Sequence, residues 1–369
     1  MQMKPAAAGA IALVASLAAH AAEPTGPFRL NDTGMQRCSD GAGGWLASCA
    51  GTGQDGEGGR DVAHPRDTNG HAGFHFRKVD LSGEDLPHDA AAWRCVRDQV
   101  TGLLWDVKGD NGGLDDIDRN LTNHGDGRAG DASALVAAAN EYGLCGVTGW
   151  RLPTLLELQS IVDYGAAEGA AIDAAWFPGT PLKWFWTGEG YATDPDAAWG
   201  VYFNGPITGD GAGQRAFRLA VRLVQGTPAA GTKRYVFSAD EVHDKYTGLV
   251  WRRCAAGHSW TGSACDGALD TKEWPGALAA ANDEARRTGE PWRLPNIKEL
   301  STLADRSRVR PAIDPAVFPG VAMSQWYWSG TPLAADPAMT FTVDFTGGYT
   351  QAYPTTGYPL AYRLVRDAR

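Results

Sequence analysis

The sequence predicts an α+β protein made of two tandem copies of one domain, and three observations carry that reading. The first is an internal repeat. DQVTGLLW at Asp98–Trp105 returns as DKYTGLVW at Asp244–Trp251, WRLPTLLEL at Trp150–Leu158 as WRLPNIKEL at Trp292–Leu300, and AIDAAWFP at Ala171–Pro178 as AIDPAVFP at Ala312–Pro319. WFW at Trp184–Trp186 and WYW at Trp326–Trp328, then VRLV at Val221–Val224 and YRLV at Tyr362–Val365, follow in the same order. The offset drifts only from 146 residues at the first block to 141 at the third, far beyond the period of a solenoid or propeller blade. The second observation is the order of elements within each copy: strands, two helices, then short strands broken by Gly, Pro and Asp. That order is α+β rather than alternating βαβ. The third is the length of 369 residues, which accommodates two domains of ordinary size.

In chain order, residues 1–21 read as a signal peptide: a short basic start, an apolar run over Ala6–Ala19 and an Ala19-His20-Ala21 cleavage site. Residues 22–70 form a Gly- and Asp-rich arm with few large apolar side chains, expected to be extended and stapled by Cys38 and Cys49. Within it, Gly51–Gly56 matches G-x-G-x-x-G, but no strand precedes it and no helix follows, so it is expected to be a flexible loop. The first copy spans 71–225. Phe74–Val79, Trp93–Asp98 and the TGLLW block read as strands, and Ala132–Tyr142 as an alanine-rich helix. Residues 226–233, small and Pro-containing, read as a linker. The second copy spans 234–369, with strands at Tyr235–Phe237, near Val242 and at TGLVW, and a helix over Trp274–Arg286.

WRLP starts the second helix of each copy. Thr154 with Glu157, and Asn296 with Glu299, have capping-box spacing: the first side chain accepts from the backbone three residues on, and the glutamate reaches back. The preceding proline keeps its neighbour extended and blocks an earlier start. Leu155, Leu158, Ile161 and Val162, matched by Ile297, Leu300, Leu303 and Ala304, bury one helical face. Trp150 and Trp292 are expected to fill core, and Arg151 and Arg293 to act as internal struts rather than anion clamps.

The formal net charge is -10 and the pI about 5.3. With no basic cluster, nucleic acid and anionic membranes are poor partners. Beyond the leader no apolar stretch is long enough to span a bilayer, so membrane insertion is not expected. Six cysteines in an exported chain favour disulfides. Spacing favours Cys38–Cys49, Cys95–Cys145 and Cys254–Cys265, although sequence alone does not choose the connectivity. Zinc is disfavoured because no C-x-x-C occurs. His71 and His75 have ligand-like spacing, but Gly73 between them disfavours the helix such a pair needs. G-x-S-x-G, H-E-x-x-H and Walker patterns are missing, so no catalytic residues are assigned and no enzyme is expected.

Together T-G-L-x-W, W-R-L-P-x-x-x-E-L, A-I-D-x-x-x-F-P, W-x-W-[ST] and the closing R-L-V resemble the bacterial DUF1566 domain, also called the Lcl C-terminal domain, twice over. The resemblance implies a C-type-lectin-like fold in an exported or surface protein, and adhesion to sulfated glycans in the collagen-like adhesin that gives the family its name. This chain lacks that adhesin's Gly-X-Y stalk and is acidic where a polyanion binder is basic. The Glu-Pro-Asn, Gln-Pro-Asp and Trp-Asn-Asp motifs of calcium-dependent sugar binding are missing as well. Calcium remains a candidate only at the acidic turns Gly109–Asp118 and Gly125–Arg128, which lack the EF-hand's Gly and Glu and read as ordinary polar turns. The better ligand candidates are aromatic: Tyr349, Tyr353 and Tyr358 in a Gly- and Pro-rich tail, with Trp326 of WYW, suited to stacking on sugar faces. The matching loop of copy one, Asn204–Gly213, lacks those rings, so a ligand site is expected to be stronger in the second domain. The chain is thus expected to be a non-enzymatic binding protein for a glycan or surface protein. The alternative is an assembly component of the cell envelope.

Overall fold

The computed structural model describes residues 30–63, 67–226 and 234–368. The signal peptide expected at 1–21 and most of the linker at 226–233 lie outside the described residues. Ahead of the first domain, a single 3-10 turn (Asp55–Glu57) leads to a one-turn helix, α1 (Arg60–Ala63). The first domain then contains β1 (Phe76–Val79), β2 (Cys95–Asp98), β3 (Leu104–Asp106), β4 (Asn120–Leu121), α2 (Ala132–Tyr142), α3 (Leu155–Ser160), β5 (Trp184–Tyr191), β6 (Asp194–Tyr202), β7 (Gly209–Gln214), β8 (Leu219–Ala220) and β9 (Val224–Gln225). The second contains β10 (Tyr235–Ser238), β11 (Glu241–Asp244), β12 (Leu249–Arg252), β13 (His258–Trp260), β14 (Cys265–Gly267), α4 (Trp274–Thr288), α5 (Ile297–Ser301), β15 (Trp326–Leu333), β16 (Asp336–Asp344), β17 (Thr350–Pro354) and β18 (Val365–Asp367).

The two topologies match. Sheet β1-β2-β3-β9 is repeated as β10-β11-β12-β18, each closed by the last strand of its domain pairing antiparallel with the TGLxW strand. In the five-stranded sheet β4-β8-β5-β6-β7, the last three strands return as the three-stranded sheet β15-β16-β17. Even the parallel contact of Phe185 with Ala220 returns as a bridge between Tyr327 and Ala361. Trp105 and Trp251, the last residues of the two repeated blocks, are fully buried. Helix α2 starts at Asp131, whose side chain accepts from Ser133 N–H, and α2 and α4 both stop at a glycine in the left-handed region, Gly143 (φ 66°) and Gly289 (φ 72°). Helices α3 and α5 are shorter than the apolar pattern suggests. They end at Ser160 and Ser301, but the four apolar side chains expected on each buried face are buried in both copies, the last two carried by the following turn.

The domains form one body around a shared apolar core. Related residues meet across an approximate two-fold axis, the hallmark of an isologous contact. The WRLP helices α3 and α5 touch each other. Asp210 stands opposite Val201 in β6–β7 and Thr350 opposite Val343 in β16–β17, and Thr350 N–H donates to Asp210 Oδ1 at 2.8 Å. The Tyr164 ring meets Phe341 edge-on at 5.0 Å; in the mirrored contact the Arg306 guanidinium lies 5.5 Å from the Trp199 ring.

The arm expected to be extended is instead packed into this body. Asn31, Asp32, Thr33, Met35, Cys38, Ser39 and Gln54 are buried. Its polar side chains explain how a segment poor in large apolar residues can be ordered: each finds a fixed partner. Asn31 donates to Asp98, Arg37 to the Ala334 carbonyl at 3.0 Å, and Thr33 and Thr331 both donate to Asp55 Oδ2 at 2.7 and 2.6 Å. Asp55 lies in the G-x-G-x-x-G stretch, which is therefore a docked turn rather than a loose loop. Three disulfides join Cys38 to Cys49, Cys95 to Cys145 and Cys254 to Cys265.

Candidate ligand-binding site

Arg151 donates to both carboxylate oxygens of Glu157, at 2.7 and 2.6 Å, and Arg293 to both of Glu299, at 2.6 and 2.8 Å. Each glutamate also accepts from the N-cap backbone, Thr154 or Asn296, at 2.8 Å, while the cap side chains accept from the glutamate N–H groups. Around Arg293, burial works against the charge, but Glu299 overcomes it and holds the guanidinium above its ordinary range. The backbones of Arg151 and Arg293 pair with Val224 and Val365, so the motif ties the helix start to the last strand. Trp150 Nε1 donates to the Leu144 carbonyl; Trp292 carries the Arg252 and Arg366 guanidiniums 4.2 and 5.1 Å from its ring. The two arginines and the two glutamates thus pair with each other inside the fold.

Two further arginines escaped the sequence reading. Arg222 and Arg363, within the closing VRLV and YRLV blocks, are fully buried. Arg222 donates to the Asp106 carbonyl and lies 5.0 Å from the Phe177 ring; Arg363 donates to the Arg252 and Arg253 carbonyls and lies 4.9 Å from Phe318. Burial pulls both down to about 10. The available signal was a cation repeated inside an apolar block.

The aromatic candidates divide. Trp326 and Trp328 share one face of β15 by strand alternation. Trp328 is buried and donates to the Lys272 carbonyl, whereas Trp326 is half-buried. The half-buried Tyr353 ring lies 5.2 Å from Trp326, and Tyr358, 49% exposed, lies 5.9 Å from Tyr353. These three form a continuous patch on the second domain. Tyr349 does not belong to it. The turn joining β16 to β17, in which Gly348 N–H bonds to Asp344, delivers its ring into the domain interface, 4.8 Å from Trp199 and 6.1 Å from Tyr191. Burial there raises its phenol above the ordinary range. The first domain is also less bare than its loop suggests: β6 supplies Tyr202, stacked on Trp184 at 5.2 Å and 18°.

At the acidic turns the carboxylates face their own backbone. Asp116 accepts from Asn111, Gly112 and Asp118 N–H groups, Asp115 accepts from Arg94, and Asp126 accepts from Arg128 N–H. Among the described residues no group of three or more His, Cys, Asp or Glu side chains could hold a metal ion.

The profile of the Lcl C-terminal domain family matches residues 94–225 and again residues 240–366. The chain belongs to this family. A search of curated proteins finds no match. Both matched Lcl C-terminal domain spans begin after the first strand of the domain, yet β1 and β10 each pair with the next strand over four residues. No helix among the described residues is long and apolar enough to cross a membrane, and the three disulfides are compatible with an exported protein.

Proposed function

We propose that the protein is a non-enzymatic, exported or cell-surface binding protein whose two Lcl C-terminal domains have a C-type-lectin-like fold. It recognises glycan or protein ligands through the outer surface of its second domain. The observation that carries this reading is the Trp326–Tyr353–Tyr358 patch, three aromatic rings in a row, each in contact with the next and partly open to solvent. Such rings stack on the apolar faces of sugars while their polar edges reach hydroxyls, and strands β15 and β17 hold Trp326 and Tyr353 at little entropic cost. The acidic balance of the chain favours ligands without dense negative charge. A glycan array probed with the mature protein, with and without calcium, tests the reading. Binding that resists salt, is competed by free sugar and is lost in Trp326→Ala/Tyr353→Ala supports it; undiminished binding by that variant rejects it.

A second reading, assembly into the cell envelope, draws on β10, an outer strand of its sheet with Val236 40% and Phe237 47% exposed. Co-purification with a fixed envelope partner, together with a blank array, would favour it.

A further inference from the structure

The second domain contains a concavity beside its β13–β14 hairpin. Between β12 and α4 lies the β13–β14 hairpin, and the Cys254–Cys265 disulfide ties the segment leaving β12 to the first residue of β14, beside the hairpin turn. One face of α4, through Ala280, Glu284 and Arg287, forms the opposite wall, and Tyr362 and Leu364 of the closing segment contribute to the lining. The cleft measures about 520 Å³, within the range of small-ligand sites. Gly257 makes the tight entry to the hairpin, since a Cβ there would stand 2.3 Å from the Ala268 carbonyl oxygen.

The chemistry of the walls selects a ligand class. The charged groups cancel: Arg252 bonds to Asp240 and Glu284, and Arg287 forks onto the same Glu284. Among the lining residues the two cations and the two carboxylates balance. Aromatic surface is present and held still, because the Arg253 guanidinium stacks 3.7 Å from the Trp260 ring and 4.4 Å from Phe237. His258 lines the cleft, and its Nδ1 is buried without a hydrogen-bond partner. A polar group left in that condition calls for an explanation. Ser259 adds a hydroxyl that both donates and accepts. Paired charges, mixed donors and acceptors and a fixed aromatic wall suit a ring that offers hydroxyls on its edge and C–H groups on its face.

We propose that this half-open cleft is a saccharide subsite, taking a terminal unit of a neutral glycan, distinct from the Trp326–Tyr353–Tyr358 patch. The inference rests on the reading of the domain as glycan-binding, and the test separates the two. The full mature chain is probed on an array of neutral glycans and their sulfated counterparts at high salt, beside three variants: Ala280→Trp, which fills the cleft from a half-buried helix position; His258→Ala/Ser259→Ala, which strips its polar lining; and Trp326→Ala/Tyr353→Ala. Circular dichroism melts confirm folding. The expected result is binding to neutral glycans that falls by about tenfold or more in both cleft variants, the loss of roughly 1.4 kcal/mol of contact. Folded cleft variants that bind as the parent does overturn the inference. If those variants bind normally while the Trp326/Tyr353 variant fails, the open patch stands and the cleft assignment falls; the reverse outcome rejects the patch alone. Binding only to sulfated glycans or peptides, or a blank array, also overturns the saccharide subsite.

Discussion

Replacing Glu299 or Glu157 with alanine separates a structural strut from a functional clamp. In the second domain the Glu299 side chain is 8% exposed and serves three donors, two from Arg293 and one from the Asn296 backbone. Breaking a buried ion pair costs about 3–5 kcal/mol, but the Arg293 side chain is 33% exposed and regains some hydration, which brings the loss to roughly 2–3 kcal/mol. Loss of the capping acceptor adds about 1 kcal/mol. Glu299→Ala is therefore expected to destabilise by about 3–4 kcal/mol, a shift of about 1 M or more in urea midpoint at an m-value of roughly 3 kcal/mol/M. Glu157→Ala should cost at least as much, because Glu157 is 2% exposed and Arg151 lacks the second carboxylate, Asp367, that also bonds to Arg293. Urea titrations followed by circular dichroism measure both, and Arg293→Met should lose a comparable amount while leaving ligand binding per folded molecule unchanged. An Arg293→Met protein as stable as the parent but unable to bind its ligand would refute the structural assignment of the motif.

Stability should pass through a minimum near neutral pH. Burial raises Asp55 to about 7 and Asp61 and Asp163 to about 6, so the stability they contribute is complete below the unfolded value near 3.8 and is lost as pH rises through 6 to 7. Lys298, 3% exposed and pulled by burial from 10.5 to about 7, acts oppositely: its contribution is lost as pH falls from above 10.5 towards 7. Melting temperatures from pH 4 to 10 test this, and Lys298→Met should flatten the alkaline rise; an unchanged rise in that variant would count against the amine. Tyr349→Ala should lower stability by about 1–3 kcal/mol without changing ligand binding, and Tyr353→Ala the reverse; denaturation and array binding in parallel decide it. Asp210→Ala should cost about 3–5 kcal/mol, since Arg306, Gln159 and the Thr350 N–H all lose their acceptor, and Arg306→Met in the same chain should recover part of that in a double-mutant cycle. A coupling near zero would mean that the buried pair does not join the domains. Calcium or a chelator should leave the melting temperature unchanged within error, because the acidic turns already bond to their own backbone; a rise with calcium would contradict that.

Local signals and the repeat made much of the fold legible. The capping boxes, the Trp–Arg–Leu–Pro helix starts and the strand blocks depend on residues close in sequence, and the duplication confirmed each element against its copy. Four features were not legible. The N-terminal segment looks too polar to pack, yet Asp32 and Asp55 are ordered by partners hundreds of residues away, Lys298 and Thr331, while Gln54 is held by Ser39 within the arm. The domain interface could not be read because its groups are ordinary taken singly; Asp210 and Arg306 acquire meaning only when the two copies face each other. Tyr349 and Tyr353, four residues apart with similar neighbours, were indistinguishable until the turn at Gly348 sent the first inward. The cleft beside the β13–β14 hairpin is assembled from four separated segments.

The duplication also explains where function can reside. Residues needed in both copies are those that hold a domain shut: the Arg–Glu struts, the buried Trp105 and Trp251, and Arg222 and Arg363 beneath the closing strands. They are fixed by a packing problem that each copy has to solve. Positions at the pseudo-symmetry axis have diverged instead: Tyr164 against Arg306, Trp199 against Phe341, Asp210 against Thr350, Leu156 against Lys298. A symmetric interface would let any two copies of the domain pair, as identical patches do in two-fold dimers. The divergence restricts that pairing. Two second domains would bring threonine to threonine where Asp210 now meets Thr350, leaving Arg306 buried without its carboxylate. Two first domains would bring Asp210 against Asp210. Each homotypic pairing therefore buries an unpaired charge or a like-charge pair, and the heterotypic pairing does not. The asymmetry that fixes the domains to each other leaves their outer surfaces free to differ, and it is there that the second domain carries the stapled hairpin and the tyrosine-bearing strand.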